Sequence, residues 1–368
     1  MRIAVVGAGI MGLSVAWALR ERGHDVRVFE QGVVPNPLAS STDRHRLIRY
    51  AYGSEDGYVR MVAEAYRAWD AVWEDLGERL QIETGTLAFD TAEDAWAARS
   101  RDSLSRCGIA FETLTAGDVA KRFPFLIADG IGEALYLPSG GVLVAEKIVA
   151  ALARRLRSKG VTIHEQTAVA ALDPERAALT LGDGSRHGAD ALVVAAGPWV
   201  RRLLPAMAAR VTPSRQVVTY LAPPSRFAAQ WQRAPMVLAI GTDSGFYAVP
   251  PVAGLGLKVG DHRFSLQGEP DRNRAATNAE AEAIAAQARP RFRDFADYRI
   301  VMAKTCFYDV TADERFIVEP IGRSTWAMTG FSGHGFKFGP VLGQRLAAAI
   351  DGKIAPAALS AWAAGKGA

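Results

Sequence analysis

The 368-residue chain opens on apolar and polar patterning that changes period every few residues. Arg2-Ile3-Ala4-Val5-Val6 is an unbroken apolar, β-branched run, the pattern of a strand buried on both faces. Leu13 to Arg22 then reads as a helix, and Asp25 to Phe29 as a second strand ending in Glu30. Farther on, Glu146 to Lys159 places Ile148, Val149, Leu152 and Leu156 on one helical face. Gly160 ends that helix, and Val161 to His164 is the next strand. Ala178 to Leu181, the turn Gly182-Asp183-Gly184 and a return strand predict a hairpin. Ala191 to Gly197 is a buried strand that ends in small residues. The last helix starts near Phe338, with Leu342, Leu346, Ala349 and Ile350 on one face.

Other stretches keep strand alternation without helices between them: Thr86 to Phe89, Gln216 to Leu221, Phe246 to Val249 and Leu255 to Val259. Strands in such a series predict a mostly antiparallel second sheet. The order implies an α/β (α+β overall) chain with a Rossmann-like nucleotide domain interrupted twice by a substrate domain. The expected division is 1–85, 140–215 and 300–368 for the first, and 86–139 and 216–299 for the second.

The turn between the first strand and first helix is Gly7-Ala8-Gly9-Ile10-Met11-Gly12. Gly7 permits the tight turn, Gly9 lets a pyrophosphate approach the backbone, and Gly12 lets helix and strand pack closely. The helix N-terminus offers unpaired N–H groups to phosphates. Glu30 stands where a carboxylate accepts hydrogen bonds from ribose hydroxyls. Strand, turn, helix, strand and acid together point to a dinucleotide, FAD or NAD.

Composition narrows the remaining classes. Net charge is +4 with acids and bases interspersed, so Arg154-Arg155-Leu156-Arg157 reads as the solvated side of a helix and not as a nucleic-acid patch. The apolar N-terminus ends in Ala16-Trp17-Ala18, which mimics a signal-peptidase site, but the glycine spacing and paired second strand are not expected of a leader. The run is short for a membrane span. Two cysteines, Cys107 and Cys306, make neither a disulfide framework nor a zinc site, and a reducing, cytoplasmic setting is expected. Only the segment from Arg44 to Arg49 is unusually basic.

Four further segments occur in order: Arg46-Leu47-Ile48-Arg49-Tyr50-Ala51-Tyr52-Gly53, Gly256-Leu257-Lys258-Val259-Gly260-Asp261-His262, Cys306-Phe307-Tyr308, and Gly330-Phe331-Ser332-Gly333-His334-Gly335-Phe336-Lys337-Phe338. With the N-terminal turn they resemble the monomeric sarcosine oxidase and N-methyl amino acid oxidase group of the D-amino acid oxidase superfamily, over nearly the whole chain. The resemblance implies FAD, held by Gly7, Gly9, Gly12, Glu30, Ser41, Arg46, Val169, Gly197, Gly333, Gly335 and Lys337. It implies a thioether from Cys306 to the flavin 8α carbon. Arg49 and Lys337 match the pair that grips the substrate carboxylate, and Arg46 matches an arginine nearer the flavin. Lys258 matches the lysine that assists oxygen, where a fixed cation stabilises superoxide. Tyr247 and His262 match residues lining the substrate side.

The expected activity is oxidation of a secondary amino acid, N-methylated or cyclic. Hydride passes to flavin N5, an imine forms, and O2 is reduced to H2O2. The resemblance also implies a monomer, with no nucleic-acid or membrane partner. A dehydrogenase passing electrons to a carrier protein is the alternative; a non-catalytic nucleotide-binding protein fits the retained set poorly. Two departures stand beside the expected site. Thr42 and His45 exchange the usual residue types, and Ser54 with Glu55 replaces an acid directly after Tyr52-Gly53. They put sarcosine itself in doubt.

Overall fold

The computed structural model describes residues 1–90, 94–241 and 245–367. Its first sheet has six strands, in the order Ile317–Pro320, Thr325–Thr329, Ala191–Val194, β1 (Arg2–Val6), β2 (Asp25–Phe29) and Thr162–His164. All neighbours are parallel except the antiparallel edge strand Ile317–Pro320. Both faces are covered, which is why β1 reads as continuous apolar sequence: Ile3 to Val6 are all buried.

Helix α1 (Ile10–Glu21) follows the glycine turn and is buried for ten consecutive residues. It is the central helix of the largest core, because the predicted C-terminal helix, found at Gly339–Ile350, lies against it. Glycine makes that contact possible: a Cβ at Gly339 would stand 2.8 Å from Ser14 Oγ, and one at Gly343 2.6 Å from Ser14 O. Gly12 performs the corresponding task at the other end of α1, where an added Cβ would fall 1.8 Å from Gly7 O. Gly12→Ala is therefore expected to push α1 away from the turn. The destabilisation should be about 1–3 kcal/mol by denaturant titration, with weaker FAD retention.

The second sheet has eight strands, in the order Arg299–Val310, Thr212–Ala222, Leu257–Asp261, Gly245–Val249, Met236–Ile240, Thr86–Phe89, Ala134–Leu137 and Glu112–Leu114. It is antiparallel apart from the parallel pairing of Met236–Ile240 with Thr86–Phe89. The largely antiparallel second sheet thus agrees with the sequence pattern. Residues 300–310 and 212–215, grouped by sequence order with the nucleotide segments, pair along two long strands of this sheet. A three-stranded sheet joins β3 (Arg46–Ile48) to Gly141–Leu143 and Gln81–Glu83, and the predicted hairpin belongs to another small sheet starting at Val169.

One large element was missing from the sequence-based expectation: α2 (Asp56–Leu76), 21 residues long, although its buried Val59, Val62, Ala65, Trp69, Val72 and Trp73 recur at helical spacing. Its buried Trp69 donates from Nε1 to Lys337 O at 2.8 Å, tying this helix to the loop before the C-terminal helix. Among the described residues no helix is long and apolar enough to cross a membrane.

Candidate active site

Two joined cavities lie between the sheets, sharing Arg46, Tyr308, Gly333 and Phe336 in their walls. The first encloses about 1130 Å³ of empty space, counting its open mouth. Gly7, with φ +100°, starts it: its N–H donates to Phe29 O at 2.8 Å, and a Cβ there would stand 2.4 Å from Ala195 O. That approach is to the backbone at the end of the Ala191 strand, so it is position 7 that must be glycine. Gly9 by contrast would bring a Cβ near only Ser41 Oγ, so its other side faces open space. Ser41 reaches across from a distant loop to accept from Ile10 N at 2.8 Å, satisfying one donor of the α1 N-terminus.

Glu30 is buried and held by three donors: Ala8 N at 2.8 Å, Gly32 N at 3.0 Å and Asn36 Nδ2 at 2.8 Å. Val169, Gly197, Gly333 and Gly335 complete the predicted set around this cavity, whereas Gly12 supports it from behind. Asn36, which fixes the acid, carries no sequence signal of its own. The carboxylate, the glycine cradle and the helix N-terminus fit the nucleotide half of FAD.

The second cavity holds the predicted chemical residues together: Arg46, Arg49, Tyr247, Lys258, His262, Cys306 and Lys337. Strand register explains part of this. Lys258 stands opposite Tyr220, Gly260 opposite Tyr247, and Cys306 opposite Gln216. Cys306 is buried, with Sγ 3.8 Å from Arg46 Nη2 and 3.7 Å from Ser40 O. Burial pushes its thiol up, while Arg46 and Lys258 pull the other way. Tyr247 has Lys258 Nζ 6.0 Å from its ring centroid. His262 donates its backbone N–H to Gly245 O at 3.2 Å and has Phe264 beside its ring.

Arg49 and Lys337 form the most unusual feature. Both are buried, and no salt bridge to either is present among the described residues. The Arg49 guanidinium lies over the rings of Tyr52 (4.6 Å) and Trp96 (5.6 Å), and bonds Ala51 O. Lys337 Nζ donates to Tyr52 OH and to His334 O, both at 2.8 Å. Burial, reinforced by Arg49, holds the Lys337 ammonium well below the usual lysine range, and burial lowers Arg49 too. His334 faces Glu314 O through Nε2 at 3.1 Å, which assigns the proton to that nitrogen; burial and Lys337 keep the ring neutral.

The sequence departures also find places. His45 is fully buried against Tyr220, and burial together with Lys258 lowers its pKa to about 3. Thr42 bonds Asn36 O, and Glu55 pairs with Arg315 at 2.9 Å. Asp43 was not singled out from the sequence, yet it contacts both Lys258 and Arg46. Its spacing from Arg46, three residues, was the available signal.

A glycine-cradled nucleotide cavity opening onto a cavity of buried cations, tyrosines and a cysteine defines a flavin-type oxidoreductase. The chain belongs to the DAO family of FAD dependent oxidoreductases, whose model matches residues 2–349. It is 27% identical over 361 residues to monomeric sarcosine oxidase of Bacillus sp. (strain B-0618), covering 95% of this chain and 92% of that one. It is 26% identical over 370 residues to N-methyl-L-tryptophan oxidase of Yersinia pestis (strain Pestoides F), covering 98% and 97%. Its fold resembles L-proline dehydrogenase from P. horikoshii (TM-score 0.83, 20% identity, 99% and 96% covered). It also resembles glycine oxidase from Geobacillus kaustophilus (TM-score 0.81, 22% identity, 96% and 95% covered).

Proposed function

We propose that the protein oxidises a secondary amino acid, N-methylated or cyclic, at the carbon next to nitrogen, with O2 as acceptor and H2O2 as product. The observation that carries this reading is the pair of buried cations, Arg49 and Lys337, to neither of which a salt bridge is present among the described residues. Two such charges cost free energy unless an anion completes them, and a substrate carboxylate does so bidentately. FAD supplies hydride acceptance and electron transfer when bound. The chain's own residues supply orientation. Arg49 and Lys337 fix the carboxylate, and with it the C–H bond to be broken. Tyr247 and His262 flank the amine, and the buried cations Arg49 and Lys337 beside it favour its neutral form, the form able to give up hydride. Lys258 supplies a fixed cation for the charge that develops as oxygen accepts electrons. Hydrolysis of the imine follows in water.

Cys306 is the residue proposed to hold the cofactor by a thioether, a reading its burial in the second cavity beside Arg46 supports. Acid precipitation of the purified holoprotein should leave the yellow colour in the pellet, whereas Cys306→Ala should release it to the supernatant. A colourless wild-type pellet removes the covalent link from the account. The proposed FAD-binding unit comprises residues 1–85, 140–215 and 300–368 apart from 212–215 and 300–310, which pair in the second sheet, and the protein is proposed to act as a cytoplasmic monomer. A panel of sarcosine, N-methyl amino acids, proline and pipecolate, followed by oxygen consumption and peroxide release, tests the reaction. Substrate-dependent flavin bleaching without oxygen uptake would favour the dehydrogenase alternative.

A further inference from the structure

We propose that Asp43 is a positioning residue, the buried counter-ion that holds the Lys258 side chain charged and aimed into the second cavity. The inference rests on the reading of Lys258 as the cation facing the cofactor, and deepens it. Asp43 is 3% exposed, and each of its oxygens has two donors. Oδ2 accepts from Lys258 Nζ and from Arg46 Nη1, each at 2.5 Å. Oδ1 accepts from Tyr220 OH at 2.5 Å and from Arg44 N at 2.8 Å. Four donors from four residues leave the carboxylate no rotational freedom, so the place of the ammonium is set by Asp43.

The charge balance makes the residue more than a tether. Lys258 is itself 3% exposed and shares one oxygen with a second cation, Arg46. The other titratable groups facing it are His45 from the same loop, Tyr220 and Tyr247 from the two flanking strands, and Cys306. His45 is held neutral, and burial raises both tyrosines and the thiol, so Asp43 supplies the negative charge in contact. Burial and Arg46 act to deprotonate Lys258, and Asp43 acts against both. Its removal would leave two cations side by side in a dry site, and the lysine is the one able to release a proton.

The chain has eight lysines, few enough to follow individually. Labelling their ε carbons with 13C and titrating the holoprotein by NMR, with Lys258→Met for assignment, reads the ionisation directly. Asp43→Asn should lower the Lys258 midpoint by one pH unit or more, and Asp43→Glu should restore most of the shift. The variant's rate of flavin reoxidation by O2 should then acquire the same ionisation. If Asp43→Asn is too unstable to titrate, its thermal midpoint decides. Adding Lys258→Met should recover much of the loss, and the deficit should shrink as pH rises and the lysine discharges. A midpoint shift below one unit, or a double variant no more stable than Asp43→Asn, overturns the proposal. A wild type with Lys258 charged but no oxygen consumption refutes the oxidase reading alone.

Discussion

Lys337→Met should melt no lower than the parent protein at pH 7 in the absence of substrate, yet lose roughly 30- to 1000-fold in kcat/KM. The activity loss follows from removing one charge-assisted bond to a carboxylate inside a buried site, about 2–4 kcal/mol. The preserved stability follows from the same burial. Lys337 is 3% exposed, with Arg49 beside it and a strongly depressed ionisation, so its charged form weakens the ligand-free fold. The sign is fixed by linkage: below the unfolded lysine range, the unfolded chain binds more protons than the native one, so stability rises with pH. Methionine abolishes that slope. Thermal melts of both proteins from pH 6 to pH 10 should therefore converge at the alkaline end. A variant that melts well below the parent at every pH would assign Lys337 a structural part, through Tyr52 and His334, in place of a substrate-binding one.

Lys258→Met should separate the two halves of the reaction. Reduction of the bound flavin by substrate under anaerobic conditions should change by less than about tenfold, since Arg49 and Lys337 remain. Reoxidation by O2 should slow by roughly 100- to 1000-fold, the usual cost of removing one preorganised charge from developing negative charge. Rapid mixing measures each half separately. Equal slowing of both would mean that Lys258 organises the cavity generally, through Asp43 and the carbonyl of His45.

The parts of this molecule legible in the sequence are those set by local periodicity or by a backbone requirement. β1, the glycine turn, α1 and β2 follow from a continuous apolar run and from positions where a side chain has no room. Thr86–Phe89 and the hairpin starting at Ala178 follow from strand alternation and turn residues. The long helix α2 carries a readable signal that the sequence-based expectation lacks, since Val59, Val62, Ala65, Trp69, Val72 and Trp73 recur at helical spacing; what no local pattern shows is its partner, the segment carrying Lys337, 268 residues away. Likewise the pairing of Arg299–Val310 with Thr212–Ala222 is a long-range register that no local pattern announces.

The site divides the same way. Glu30 was readable because it ends a strand, but its three donors were not, since Asn36 and Gly32 reach it only through a folded loop. Lys258, Cys306, Arg49 and Lys337 were marked by motif resemblance, and they line one cavity. Motifs name residues without naming their counter-charges. Asp43 directly precedes the basic stretch from Arg44 to Arg49, and its contact with a lysine 215 positions later exists only in three dimensions. Arg49 and Lys337 are the opposite case: that two cations are buried together, with no salt bridge to either among the described residues, becomes visible only once their neighbours are placed.

The central claim is that this buried cation pair receives the carboxylate of an amine being oxidised by the bound FAD. Anaerobic mixing of the yellow holoprotein with matched ligands tests it most directly, read by the flavin's visible absorbance. Each N-methyl or cyclic amino acid is paired with the same amine lacking its carboxylate. At least one amino acid is predicted to bleach the flavin, with its decarboxylated partner slower by 100-fold or more. Equal bleaching by both members of a pair, or bleaching by none, would contradict the account.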